Sequence, residues 1–91
     1  MEDQKSEREE FVHLKRLYVG EQIRQFREKR NLSQEELAEM MGISRATISK
    51  IENGRFAISV DYLAKFSFHL NFDFLITGTN GKNNGKQDNI Y

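Results

Sequence analysis

Arg45, Lys50 and Arg55 fall within eleven residues of one another, with Ala46, Ser49 and Asn53 between them. Such a set is equipped for recognition rather than bond-making. On a helix, Ile48 and Ile51 would turn inward together, leaving Arg45, Ala46, Ser49, Lys50 and Asn53 on the outer face. A guanidinium fork fits guanine O6 and N7, an ammonium is a point charge for base or phosphate, and an alanine methyl can touch a thymine methyl. A face this small and polar can enter a DNA major groove ~12 Å wide. Gln34, Asn53 and Arg55 are suited to positioning a protein on the phosphate backbone without reading sequence.

The other residues that could do chemistry read more simply as structure. Glu35, Glu36 and Glu39 fit a capping box and a solvated acidic helix face better than a carboxylate site. His13 and His69 are isolated and read as surface or half-buried histidines, so no metal site is expected. The absence of cysteine excludes disulfides, thiolate zinc sites and thiol catalysis. With neither a nucleophile–base pair nor a glycine-rich phosphate loop, an enzyme is not expected and no cofactor is implied.

A recognition face needs helices that hold it, and the start signals for them repeat. Ser33, Ser44 and Ser59 each stand as an N-cap. Each is flanked by an apolar pair: Leu32 with Leu37, Ile43 with Ile48, Ile58 with Leu63. Glu36 completes a capping box with Ser33. Asn31, Gly42 and Gly54 follow the helical stretches and can take the left-handed conformation of a C-terminal cap. These signals predict helices at about 20–30, 34–41, 45–53 and 60–70. Phe11, Leu14, Leu17 and Tyr18 are compatible with one more segment over 6–18, which Gly20 either breaks from the next helix or allows to run on.

Tyr62 and Phe66 share helical spacing with Leu63 and Leu70 and read as core. Beyond them, residues 72–77 alternate Phe72, Phe74 and Ile76 and are rich in strand formers. A strand is preferred there to a short fifth helix. A lone strand cannot satisfy its own backbone, so the same strand of a second subunit is the simplest partner. Phe68, Phe72, Phe74 and Ile76 are the expected dimerisation residues.

At 91 residues the chain allows one small domain, of a size that often gains stability by oligomerising. The expected division is a charged N-terminal extension (1–18), a domain with its dimerisation segment (19–77), and a flexible tail rich in Gly and Asn (78–91). The first few residues are also expected to be disordered. Net charge is zero, which counts against nucleic-acid binding, but its distribution is uneven. Residues 1–10 carry five acids against Lys5 and Arg8, whereas residues 44–56 carry Arg45, Lys50 and Arg55 against Glu52 alone. No apolar run approaches the ~18 residues of a membrane span and no signal-peptide core is visible, so a cytoplasmic location and no membrane partner are expected.

Residues 20–71 resemble the phage-repressor (Cro/XRE-type) helix-turn-helix family. The likeness rests on Ile23-Arg24-Gln25-Phe26-Arg27, on Leu32-Ser33-Gln34-Glu35-Glu36-Leu37-Ala38, on Gly42-Ile43-Ser44, and on Ile48-Ser49-Lys50-Ile51-Glu52-Asn53-Gly54. The resemblance implies that Gln34 bonds phosphate and braces the recognition helix. It also implies that Ser44, Arg45, Ala46, Ser49 and Lys50, with Thr47 among them, face base edges or flanking phosphates. Asn53 and Arg55 are implied to grip the backbone, and Arg27 and Glu52 to form an ion pair that ties the first helix to the recognition helix.

The reading is therefore a mainly α, lambda-repressor-like domain of four to five helices with a C-terminal strand pairing across a homodimer. Its partner would be double-stranded DNA, and its role that of a repressor on an inverted repeat. Two alternatives stand beside it. One is an antitoxin whose tail binds a toxin protein, since family members with a strand after the fourth helix are often antitoxins. The other is an interaction module that keeps the fold and has lost DNA binding, suggested by the zero net charge.

Overall fold

A computed structural model describes residues 2–79, with side chains from Gln4 onward. It contains four helices: α1 (Glu2–Lys29), α2 (Gln34–Met41), α3 (Arg45–Glu52) and α4 (Val60–Leu70). All three serine caps form. The Ser33, Ser44 and Ser59 hydroxyls accept from the backbone N–H groups of Glu36, Thr47 and Tyr62 at 3.0, 3.1 and 3.0 Å. The Glu36 carboxylate accepts from the Ser33 N–H at 2.8 Å, which closes the capping box. Asn31, Gly42 and Gly54 all have positive φ, as expected, and Asn71 does the same after α4.

The core is Ile23, Leu37, Ala38, Ile48, Ile51, Phe66 and Leu70, so every helix contributes to it. Ala38 is small where α2 crosses α3, and Gly42 makes the turn between them. Half-buried Leu32, Ile43, Ile58 and Leu63 close over this core, which gives each helix start an apolar anchor beside its cap. No helix among the described residues is long and apolar enough to cross a membrane.

The structure departs from expectation at both ends. Residues 2–29 form one helix of 28 residues, so the segment over 6–18 runs on into the first domain helix and is ordered from Glu2. Gly20 does not break it. A Cβ there would press into the carbonyl oxygens of Ile51 and Glu52, the latter at 2.9 Å, so the glycine lets α1 lie close against the end of α3. The boundary placed at 18/19 falls inside this helix.

Within the single chain residues 72–79 form neither a fifth helix nor a strand, so the expected C-terminal strand finds no support among the described residues. Asn71 turns the chain at φ 63, and the N–H groups of Asn71 and Phe72 both donate to the Ser67 carbonyl, at 2.8 and 3.2 Å. Phe72 then stacks on Phe26 of α1, with ring centroids 4.9 Å apart. Phe72 is thereby drawn onto its own core and lines a groove with Phe74, while Ile76 is exposed. Residues 80–91, which hold most of the expected flexible tail, lie outside the described residues.

Candidate nucleic-acid interface

The second helix of the motif is presented by a buried polar network. Arg27 Nε and Nη2 donate to Glu52 Oε2 and Oε1 at 2.7 and 3.0 Å, a bidentate pair between α1 and the end of α3. Arg27 Nη1 also donates to the Leu32 carbonyl at 2.7 Å, in the turn that leads into α2. Gln34 Nε2, at the start of α2, donates to Glu52 Oε1 at 3.0 Å. One carboxylate thus receives donors from α1 and α2 while standing on α3. The hydrogen bonds that Arg27 donates to Glu52, and with them the carboxylate's charge, hold the Arg27 pKa above its ordinary value, although burial opposes this.

The network has an electrostatic consequence for the outer face. Glu52 is neutralised inside the fold, so it no longer offsets Arg45, Lys50 and Arg55. Among the described residues none of these three cations is ion-paired. Lys50 and Arg55 thus stand exposed toward the end of the motif, while Arg45 at its start borders a groove also lined by Glu35, Glu36 and Glu39.

The structure places the remaining candidates as follows. Arg45, Ala46 and Lys50 are exposed on α3, and Ser44 is exposed at its cap. Ser49 is half-buried and accepts from Asn53 Nδ2 at 3.4 Å, a long bond that a ligand could displace. Thr47 is half-buried, and its hydroxyl lies 2.9 Å from that of Ser44. The Arg55 N–H donates to the Lys50 carbonyl at 2.8 Å, which fixes the loop after α3 and leaves the Arg55 side chain exposed. Gln34 is half-buried and braces Glu52, so it is fixed by the same network that orients α3.

Two contributors to this presentation were not visible in residue types. Gly20 allows the close approach of α1 to α3. Leu17 lies against Gly54, where a Cβ would come within 2.7 Å of its side chain. Neither carries a spacing signal, since both contacts join segments more than thirty residues apart. The expected dimerisation residues separate: Phe68, Phe74 and Ile76 are exposed, whereas Phe72 packs on Phe26 within the chain.

Comparisons with known proteins agree with this geometry. The family model described as Helix-turn-helix matches residues 23–74. The ImmF control region 10 kDa protein of Bacillus phage phi105 is 36% identical over 55 residues, covering 60% of this chain and 61% of that protein. An HTH-type transcriptional regulatory protein of Pyrococcus furiosus is 45% identical over 42 residues, 46% of this chain and 13% of its own length. The HTH-type transcriptional regulator RghRB of Bacillus subtilis is 56% identical over 36 residues, 40% of this chain and 26% of its own length. The chain thus spans less than two thirds of each of these relatives. Among solved structures, the restriction-modification controller protein C.AhdI from Aeromonas hydrophila superposes with a TM-score of 0.63 at 26% identity, over 67% of this chain and 88% of that one. The clp gene regulator ClgR from C. glutamicum gives 0.61 at 32% identity, over 63% and 73%. The matched residues span Arg27, Gln34, α3 and Glu52, the parts that make the buried network and carry the exposed helix face. The chain belongs to the Cro/XRE-type helix-turn-helix family of DNA-binding transcriptional regulators.

Proposed function

We propose that this regulator is a repressor that binds a short inverted repeat as a homodimer, with one α3 in each of two successive major grooves. The observation that carries the reading is the pairing of Glu52 with Arg27 inside the fold, with Arg45, Lys50 and Arg55 exposed and in no ion pair among the described residues on and beside α3. Arg45, Ala46, Ser49 and Lys50 are assigned to base edges, and Gln34, Ser44, Thr47, Asn53 and Arg55 to phosphates and to holding the helix in register. A single eight-residue helix offers few base contacts, so a second copy is needed for useful selectivity. Half-sites about one turn, ~34 Å, apart follow from a two-fold pair of such helices. Phe68, Phe74 and Ile76 are exposed and apolar and supply surface for the dimer. Repression is favoured by the likeness to a phage immunity control protein.

The two alternatives have less behind them. The antitoxin reading rested on a strand after α4 and on the tail; the described residues hold no such strand, and the tail lies outside them. The interaction-module reading rested on zero net charge and on only two cations on the recognition face; the family likeness weighs against it.

The test is selection of bound fragments from a random DNA pool, followed by polarisation titrations of the selected site at two salt concentrations. An enriched inverted repeat bound more weakly at higher salt is the expected result. Absence of binding at low salt would overturn the reading.

A further inference from the structure

From Gln4 to Lys15 every side chain of α1 is exposed, and the helix meets the rest of the domain only from about Leu17. The free part is an arm of roughly 22 Å at 1.5 Å per residue. A helix of that length is marginal in water without a partner. It nevertheless carries an apolar stripe at spacings of three and four: Phe11, Leu14 and Tyr18, exposed by 60, 53 and 62%. The charges beside this stripe are sorted. Arg8 and Lys15 lie along one flank and Glu10 along the other, by the 100° step of the helix. The Lys15 ammonium sits 5.1 Å from the Phe11 ring, at the edge of the stripe.

We infer that this arm pairs with the arm of a second copy of the chain, in parallel, as a short two-stranded coiled coil along the two-fold axis of the dimer. Charge complementarity selects both the occupant and the direction. Two arms in parallel set opposite flanks together, so Glu10 of each faces Lys15 of the other, on both sides of the seam. Two antiparallel arms set like flanks together and bring Arg8 and Lys15 against the same cations of the second copy, which repel. Glu7 interrupts the stripe one turn before Phe11 and faces its own copy in the parallel pair, a like-charge contact that confines the pairing to about two turns and keeps it weak by itself. At its base, Tyr18 borders a groove of about 280 Å³ that is also lined by Val19, Phe74 and Leu75. The arm seam therefore continues into the exposed segment after α4. Parallel arms also leave both domains at one end of the coil, with the end of each α3 beside Gly20, so two recognition helices can face one DNA duplex.

The inference rests on the dimeric reading above and names the surface that makes the dimer. Self-association of the full chain is measured by sedimentation equilibrium without DNA, so its outcome is separate from operator binding. Leu14→Asp should raise the dimer dissociation constant on the order of a hundredfold. Its thermal midpoint, compared at a concentration where the parent is also monomeric, should stay near the parent value, because Leu14 is exposed in the single chain. Glu10→Lys and Lys15→Glu should each weaken the dimer, and the double exchange should restore it. The native chain has no cysteine, so Glu7→Cys gives a clean direction test. Parallel arms bring the two thiols together and cross-link under mild oxidation. Antiparallel arms that set Phe11 beside Leu14 hold them roughly 16 Å apart. Failure of the exchange to restore association, or a persistent dimer without the cross-link, would overturn the parallel arm. A dimer weakened by Phe68→Ala and Ile76→Ser but indifferent to every arm variant would place the interface after α4 alone.

Discussion

Arg27, buried with a side chain only 9% exposed, has Glu52 as its one buried, hydrogen-bonded carboxylate, with the exposed Glu28 carboxylate 3.9 Å away. Glu52→Ala would strand that charge, and breaking a buried pair from one side costs about 3–5 kcal/mol. A domain of this size has roughly 5–10 kcal/mol in total, so urea unfolding of Glu52→Ala should shift to much lower concentration. Gln34→Ala removes one bond to the same carboxylate and should cost nearer 1 kcal/mol. If the two variants proved equally mild, the network would not be what holds α3 in place. Because the bond to Glu52 raises the Arg27 pKa, the guanidinium's share of the stabilisation is complete at every pH below the ordinary arginine range. It is therefore not lost on the alkaline side of neutrality. On the outer face, Arg45→Ala and Arg55→Ala should differ in kind. The first should relax preference at one or two base pairs, by about 1–3 kcal/mol between right and wrong base. The second should weaken all sequences alike and lower the salt slope by about one. Equal loss on every sequence for both would remove Arg45 from the base readers.

At the scale of the element, α1 and α3 set each other's position at Gly20. In a free helix Gly→Ala is stabilising by roughly 1 kcal/mol. Here the added methyl would meet backbone carbonyls of Ile51 and Glu52, which cannot swing aside, and overpacking of that kind costs about 1–3 kcal/mol. The steric term should win, so Gly20→Ala should lower the thermal midpoint and also weaken DNA binding by tilting α3. A raised midpoint would mean that α1 and α3 do not approach as closely as described. The helices themselves were legible in advance from the Ser33, Ser44 and Ser59 caps and from Asn31, Gly42 and Gly54, because each signal acts within one turn of its own residue. Gly20 was ambiguous for the opposite reason. A glycine in a helical pattern means a break or a close approach, and only the neighbour thirty residues away decides which.

For the whole molecule, charge and apolar surface are both unevenly placed. The acids of residues 7–10 lie on the exposed first part of α1, before the contact of Leu17 with Gly54, whereas Arg45, Lys50 and Arg55 lie on and beside α3. Binding should weaken steeply as salt rises, with a slope set by the few phosphate contacts of each copy and doubled if two copies bind. Titrations of the selected operator above and below the dimer dissociation constant should differ in shape, being cooperative in protein only below it.

Local chemistry in the sequence alone determined the four helix cores, their caps, the turn at Gly42 and the inward set Leu37, Ile48 and Ile51, because capping and helical periodicity need no distant partner. It also marked Arg45, Ala46, Ser49 and Lys50 as the outward set, by exclusion from that same periodicity. Only the tertiary structure decided that Gln34 and Arg27 meet on one carboxylate, that Gly20 is a contact and not a break, and that Phe72 leaves the apolar alternation to stack on Phe26. Each of these depends on which segments pack together, and burial energy summed over the whole core settles that where no single stretch of sequence can.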